Sequence, residues 1–554
     1  MFCSLAHIKS WAFQLPIYRI CVLAGCVLAG ADRGDGKLKH NARQFVIGVT
    51  ALLTLVLTVA LTLVLSSVPS HAGKKDDTLR WASGLSVTSA DPYYNSFREA
   101  VLIMGQMVWD GLVYRDPDTN EFKPLLAKSW KWADPVTLEF DLRDDVKFHD
   151  GRSFTADDVV YTVNYVINPE NKVNNPSNVN WMKSAEKLGP HKVRITTHKP
   201  FPAALEYLSG PVPIMPNKFW DDAGPSRLNV KLVGTGPYLF TKWEPGKEGS
   251  FTINPDYMKG SPKGQPSIKN IVFRIIPDTT VQMAELMAGN IDWMWQLTED
   301  AAKKLARLPD IEVLASETMR IYFLQFDVMG RGGKNPFQDK RVREAVAMSL
   351  DREAIVKNML GAGSRVWHAM CYESQSGCST DVRKIPYDPE KAKALLAEAG
   401  YPSGFEMDIY GFRTRQRIEA QMGYLAKVGI KTKLQFLQYS VIREKQHKGE
   451  AQLTDTSWGS YSVNDASAII NPYFTHLPDD LVQDPELKAW ADQAEVEIDP
   501  IKRKEIYAKI LRKVADNVYV LPIATAPAVY AFTKTLDFKA YADENPRFYL
   551  AKWK

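Results

Sequence analysis

Catalytic signatures are what this 554-residue sequence conspicuously lacks. It has no G-x-S-x-G elbow, no H-E-x-x-H pair and no G-x-x-x-x-G-K-[ST] loop, so it carries none of those signatures of hydrolase, metalloprotease or nucleotide chemistry. Beyond residue 72 there are six histidines, His149, His191, His198, His368, His447 and His476, scattered without metal-ligand spacing. Gly234-Thr235-Gly236-Pro237 completes no phosphate loop, because Pro237 removes an N–H. The paired acids Asp144-Asp145 and Asp479-Asp480 read as solvated turns, and His149, beside Asp150-Gly151, as solvated or locally hydrogen-bonded. No catalytic residue, metal site or cofactor is therefore expected.

Cysteine is nearly as scarce. Three of the five, Cys3, Cys21 and Cys26, precede residue 73, leaving Cys371 and Cys378 around Gly377. In an oxidising compartment these two would close a disulfide worth about 2–3 kcal/mol at most. Two free thiols or half a metal site are the alternatives, but no other Cys and no His pair lies nearby in sequence. Charge of one sign is lacking too. Lys and Arg number 69 and Asp and Glu 64; six basic and two acidic residues fall in 1–72, so 63 and 62 remain beyond it, net +1. Nothing in that balance points to nucleic acid. Internal repeats, low-complexity tracts and long linkers are absent as well.

What the sequence has is, first, a leader. Arg33, Lys37, Lys39 and Arg43 precede a 24-residue apolar run from Phe45 to Val68, then Pro69, Ser70, His71 and Ala72. Small residues at 70 and 72 suit a signal peptidase, giving a mature chain from Gly73 and a signal peptide over 45–72. A membrane anchor over 45–68 is the competing reading, since about 20 apolar residues span a bilayer. Leu23-Ala24-Gly25-Cys26 resembles a lipobox, but Arg19 interrupts the apolar stretch before it; residues 1–44 read as a mis-assigned start or n-region.

Strands and helices then alternate. Val136, Leu138, Phe140 and Leu142 mark a strand with one buried face. Thr155 with Asp158 caps a helix burying Val159, Val163 and Val166. Asp388-Pro389 opens another, with Leu395 and Leu396 apolar; Gly400 and Pro402 stop it and a strand Phe405–Tyr410 follows. Asp484-Pro485 and Asp499-Pro500 repeat the start signal. This pattern predicts an α/β protein of two or three domains with open sheets covered by helices. Thirteen Trp follow the leader, several in polar or Gly-rich surroundings. Trp458-Gly459-Ser460-Tyr461 and the pair Trp293 and Trp295 are candidates for a cleft wall, with core packing the competing reading for each Trp.

Several segments carry a resemblance. Val108-Trp109-Asp110-Gly111-Leu112, Leu142-Arg143-Asp144-Asp145-Val146-Lys147-Phe148 and Gly234-Thr235-Gly236-Pro237-Tyr238 come first; Ala288-Gly289-Asn290-Ile291-Asp292 and Asp351-Arg352-Glu353-Ala354-Ile355 follow in order. Together they resemble the extracellular solute-binding proteins of the dipeptide/oligopeptide type, over about 78 to 550. The resemblance implies a two-lobed periplasmic-binding-protein fold with the ligand cleft between lobes. Lobe I would hold 74–111, an inserted subdomain 112–225, then 226–318 and a return over 516–554; lobe II would be 319–515. It also implies an importer receptor, monomeric and periplasmic, that captures a peptide or small solute for ABC permease subunits in the inner membrane. A sensor or chaperone of the same fold, or a secreted hydrolase, is the alternative.

Its expected ligand-binding residues are Asp91, Tyr93 and Tyr94 after the first strand, Arg413 and Arg415 before the helix that ends near Val428, and Trp458, Gly459, Ser460 and Tyr461. A solvated helix start is the competing reading for the arginines. Peptide-binding relatives carry an Asp three residues beyond the Trp that pairs with the ligand's amino terminus. Tyr461 stands there in this sequence, and Asp465 lies further on. A ligand with a buried ammonium is thereby in doubt, and an opine, a blocked or short peptide, a glycoside or a metal chelate stays open.

Overall fold

A computed structural model describes residues 73–554 except 86, 88, 96–102, 222–231 and 460–462. The leader readings over 1–44 and 45–72, together with Ser460 and Tyr461, lie outside the described residues. No described helix is long and apolar enough to cross a membrane.

The elements form where caps and periodicity demand them. Thr155 and Asp158 close a reciprocal capping box on helix Ala156–Val166, which buries Val159, Val163 and Val166. Asp388 accepts the Lys391 N–H at the start of Pro389–Glu398, which buries Ala392 and Leu396. Asp484 and Asp499 cap Pro485–Val496 and Pro500–Asp516 in the same way. Each cap satisfies backbone donors that the first helical turn leaves without acceptors.

One mixed sheet of ten strands organises the molecule. At its centre run two long antiparallel strands, Ile311–Phe326 and Val520–Thr533, in register from Ile311 opposite Thr533 to Gln325 opposite Val520. Outside Val520–Thr533 lie Trp293–Trp295, Thr78–Ser83, Asn270–Ile275, Glu248–Ile253 and Tyr238–Glu244. Outside Ile311–Phe326 lie Leu453–Trp458, Phe405–Gly411 and Ile430–Phe436. The two long strands thus serve both halves: Trp295 pairs with Tyr530 at one end, and Ile321 pairs with Trp458 further along. Their pairing shifts register between Glu317 and Ile321.

The apolar interior divides accordingly. Trp81, Phe140, Val163, Phe273 and Trp293 belong to one cluster; Phe326, Val346, Ile409 and Leu425 to a second; Phe323, Ile470 and Tyr507 to a third. A separate four-stranded antiparallel sheet, spatial order Ala127–Asp134, Thr137–Leu142, Lys192–Thr197, Met182–Gly189, packs with helix Ala156–Val166 in the first cluster. Cys371 and Cys378 are joined by a disulfide, Cα to Cα 5.7 Å.

Two local expectations need correction. Asp480 is not a solvated turn residue: it is fully buried, and its carboxylate accepts the N–H groups of His476, Val482 and Gln483. Its neighbour Asp479 is mostly buried and pairs with Arg443 and His447. His149 bonds across 85 residues of chain rather than to its own turn. Its Nδ1 accepts from Gly234 N–H at 3.2 Å and its Nε2 lies 3.0 Å from the Gly236 carbonyl, so the ring is neutral with the proton on Nε2. Burial holds its pKa below the usual value.

Candidate functional site

Where the two long strands cross between the halves, the structure holds a cavity of about 740 Å³, inside the 300–1,000 Å³ range of small-molecule sites. Trp295, Gln296 and helix Glu299–Leu305 line it from one half; Asn358–Leu360 and the start of helix Arg415–Lys427 line it from the other. Arg320, Tyr322 and Ala526–Val529 supply the crossing strands, and Glu544 reaches in from the C-terminal segment.

Helix Arg415–Lys427 is held by a buried ion pair. Arg417 and Asp455, both with 0% side-chain exposure, pair in a fork in which Arg417 Nη2 donates to Asp455 Oδ1 at 2.6 Å. Gln421 donates to Oδ2 at 3.0 Å, and the guanidinium lies 4.0 Å over the Tyr322 ring. This fixes the helix start against strand Leu453–Trp458, and so places Arg413, Thr414 and Gln416 on the cavity wall. The Arg417 guanidinium is itself spent on the fold.

At the base lies a second fork. Arg320 Nε donates to Glu544 Oε1 at 2.7 Å and Nη2 to Oε2 at 3.2 Å, while Nη1 reaches Ser457 Oγ at 3.4 Å. Thr318 Oγ1 donates to the same Oε1 at 3.2 Å. Gly459 backs onto this fork so closely that a Cβ there would stand 2.6 Å from Arg320 Nη2. Met319 points to the other strand face and lines a second cavity of about 310 Å³ with Arg115, Tyr372 and Asp543. Met319 N–H donates to the Ala542 carbonyl at 2.7 Å, so the C-terminal segment lies against the crossing strand between the two cavities.

Contacts also join the halves beside the second cavity. Glu206, on the short helix Ala204–Leu208, accepts the Asn464 N–H at 3.0 Å and pairs with Arg115 at 3.1 Å. Burial pushes the Glu206 pKa up to about 7 against the pull of Arg115. Lys199 pairs with Glu495 nearer the surface.

Of the sequence-derived site residues, Arg413 lines the large cavity, and Gly459 abuts its base. Trp458 ends its strand half-buried, edge-on to Tyr473 at 5.7 Å, and its indole Nε1 finds no acceptor among the described residues. Arg415 is exposed, stacked over Phe436 at 4.7 Å and paired with Glu419, away from the cavity wall. Asp91, Tyr93 and Tyr94 are not gathered there either. Asp91 is buried and accepts from Tyr93 N–H and Trp220 Nε1 at 2.9 and 2.8 Å. Tyr93 and Tyr94 donate to the Pro213 and Asn171 carbonyls, both at 2.7 Å.

Asp465 does not replace the acid that peptide-binding relatives carry. It is buried in a fork with Arg503 at 2.6 and 2.9 Å and also accepts the Ser467 N–H. Trp293 is fully buried in core, whereas Trp295 lines the cavity. Sequence reasoning missed Arg320, Tyr322, Gln416 and Glu544. An arginine directly before the largely apolar run Ile321 to Phe326 was the available signal for the first of these.

Similarity to known proteins supplies the family. The profile of the bacterial extracellular solute-binding proteins, family 5 Middle, matches residues 121–479. "Heme-binding protein A" of Haemophilus influenzae is 28% identical over 401 residues, covering 65% of this chain and 72% of the relative. The glutathione-binding protein GsiB of Salmonella typhi is 26% identical over 405 residues, covering 71% and 77%. In fold, NikA from Brucella suis, solved with Fe(III)-EDTA, superposes with a TM-score of 0.76 at 24% identity, covering 86% of this chain and all of that one. The chain belongs to the bacterial extracellular solute-binding proteins of family 5.

Proposed function

We propose that this chain is the substrate-binding receptor of an ABC importer, exported to the periplasm, with the 740 Å³ cavity as its solute site. The observation that carries this reading is that both halves and both crossing strands line one cavity with polar groups. Arg413 and Gln416 come from one half, Gln296 and Lys303 from the other, and Arg320 and Glu544 from the crossing strand and the C-terminal segment. A solute touching both walls favours the arrangement in which the walls are close, which is the physical basis of capture by closure. The solute is a small peptide-like or other polar molecule, held and released without turnover and passed to permease subunits in the inner membrane. Lobe I then comprises 74–318 with the return 516–554, its inserted subdomain 112–225, and lobe II comprises 319–515; the receptor acts as a monomer.

A thermal-shift panel tests this: short peptides, glutathione, opines, glycosides, heme and nickel or iron chelates. At a hundredfold excess over its dissociation constant a true ligand stabilises by about 2.7 kcal/mol. Arg413→Ala lowers that ligand's affinity at least about tenfold, the loss of one charge-assisted contact. Steady product formation from the best ligand, or unchanged affinity in Arg413→Ala, would sink the reading.

A further inference from the structure

The opening of the described chain meets an unusual neighbour. Gly73 is buried, and its carbonyl accepts the Asp76 and Thr78 N–H groups, both at 3.3 Å. A Cβ built on Gly73 would stand 2.5 Å from Oδ1 of Asp292. Asp292 is itself only 2% exposed. Its Oδ2 accepts the Arg80 N–H at 2.8 Å, its own N–H donates to the Arg80 carbonyl at 2.7 Å, and its carbonyl accepts from Thr533 at 2.9 Å. The residue is therefore held by three hydrogen bonds, one of them to carboxylate Oδ2, and Oδ1 stands nearest the place a Gly73 Cβ would occupy. The charged groups around it are otherwise engaged. The Arg80 guanidinium pairs with Asp76, Lys74 Nζ donates to the Lys554 carbonyl, and Asp77 accepts from Trp553 Nε1.

We propose that hydrolysis of the Ala72–Gly73 bond creates an α-ammonium that closes onto the Asp292 carboxylate, an ion pair only the processed chain can form. The proposal rests on the export reading above. Water adds across the amide: the leader leaves with the Ala72 carboxylate, and Gly73 keeps the amine, which takes up a proton. Residue 73 then hangs on the chain only through its Cα–C bond. Rotation by about 120° about that bond carries the amino group into the place a Cβ would occupy, while the carbonyl and its two accepted hydrogen bonds stay fixed. The ammonium reaches Oδ1 at hydrogen-bond range after a shift of a few tenths of an ångström. A side chain at 73 would compete for that space, and the positive φ of +101° in the uncut chain also favours glycine.

Before processing, residue 73 offers the acid only a neutral amide, and burial pushes the Asp292 pKa up to about 7 against the weaker pull of Arg80. A carboxyl raised in the fold above its unfolded value stabilises below about pH 4 and loses that contribution as pH rises toward 7. The ammonium removes this loss by favouring the ionised acid. Cleavage at this bond thus completes the first strand's anchorage.

The test expresses the full chain with its own leader in a Gram-negative host and weighs the exported protein. A mass beginning at Gly73 is required; an exported protein cut elsewhere overturns the ion pair while leaving export standing, and a protein that is not exported overturns both. The N-terminal amine is then acylated at pH 7 and followed by mass spectrometry. The native protein reacts at least about tenfold more slowly than Asp292→Asn, one unit of amine pKa. Equal rates overturn the pair. Should Asp292→Asn fail to fold, a chain with one serine inserted between Ala72 and Gly73 carries the test. Its unfolding midpoint falls between pH 4 and 7 relative to that of the native protein; parallel pH profiles overturn the proposal.

Discussion

At the scale of single residues, Gly459 and Arg320 define the base of the site. A β-carbon at 459 would meet the Arg320 guanidinium at 2.6 Å, and that guanidinium is already committed to Glu544. Gly459→Ala therefore forces Arg320 off its partner, at a cost of about 1–3 kcal/mol, the usual range for overpacking. Urea unfolding of the single variants and of Gly459→Ala with Arg320→Ala measures it; additive costs in that cycle would refute the clash. The sequence singled out Gly459 for standing beside Trp458, but not for this reason. A close approach between residues 139 apart leaves no local pattern. Asp91 teaches the reverse: a polar residue in a suggestive loop turns out to hold a buried indole N–H.

Among elements, the helix Arg415–Lys427 and strand Leu453–Trp458 are locked by Arg417 and Asp455. Replacing one member strands a buried charge, which costs about 3–5 kcal/mol, whereas replacing both with apolar residues of similar volume is close to neutral. Arg417→Met is thus expected to destabilise severely and Arg417→Met with Asp455→Leu to recover most of the loss, by chemical denaturation. A double variant no more stable than the single would show that the pair is not what binds helix to strand. Helix starts were legible because their signals are local: Thr155, Asp388, Asp484 and Asp499 each cap the helix their sequence announces. The three arginines at 413, 415 and 417 looked alike in sequence. The loop before the helix sends Arg413 to the cavity, and the first helical turn sends Arg415 to solvent and Arg417 into the interior.

For the whole molecule, Glu206 is a buried titratable link between the halves. Its pKa, raised by burial to about 7 from 4.5, means that its contribution is full below about pH 4.5 and is lost as pH rises through 7. Wild type should therefore lose about 3 kcal/mol relative to Glu206→Gln across that window. Matched pH series of unfolding free energy, taken as the difference between the two proteins, check the sign; a constant difference would mean that folding leaves the Glu206 carboxyl unshifted. By itself the sequence determined the α/β class, the family and the helix starts at Thr155, Asp388, Asp484 and Asp499, because apolar period, caps and ordered motifs are written in neighbouring residues. Tertiary structure alone decided which charges face the cavity. Arg320 meets Glu544 across 224 residues and Asp465 is consumed by Arg503 across 38, and pairing between distant segments depends on how strands cross, which no local stretch of chain encodes.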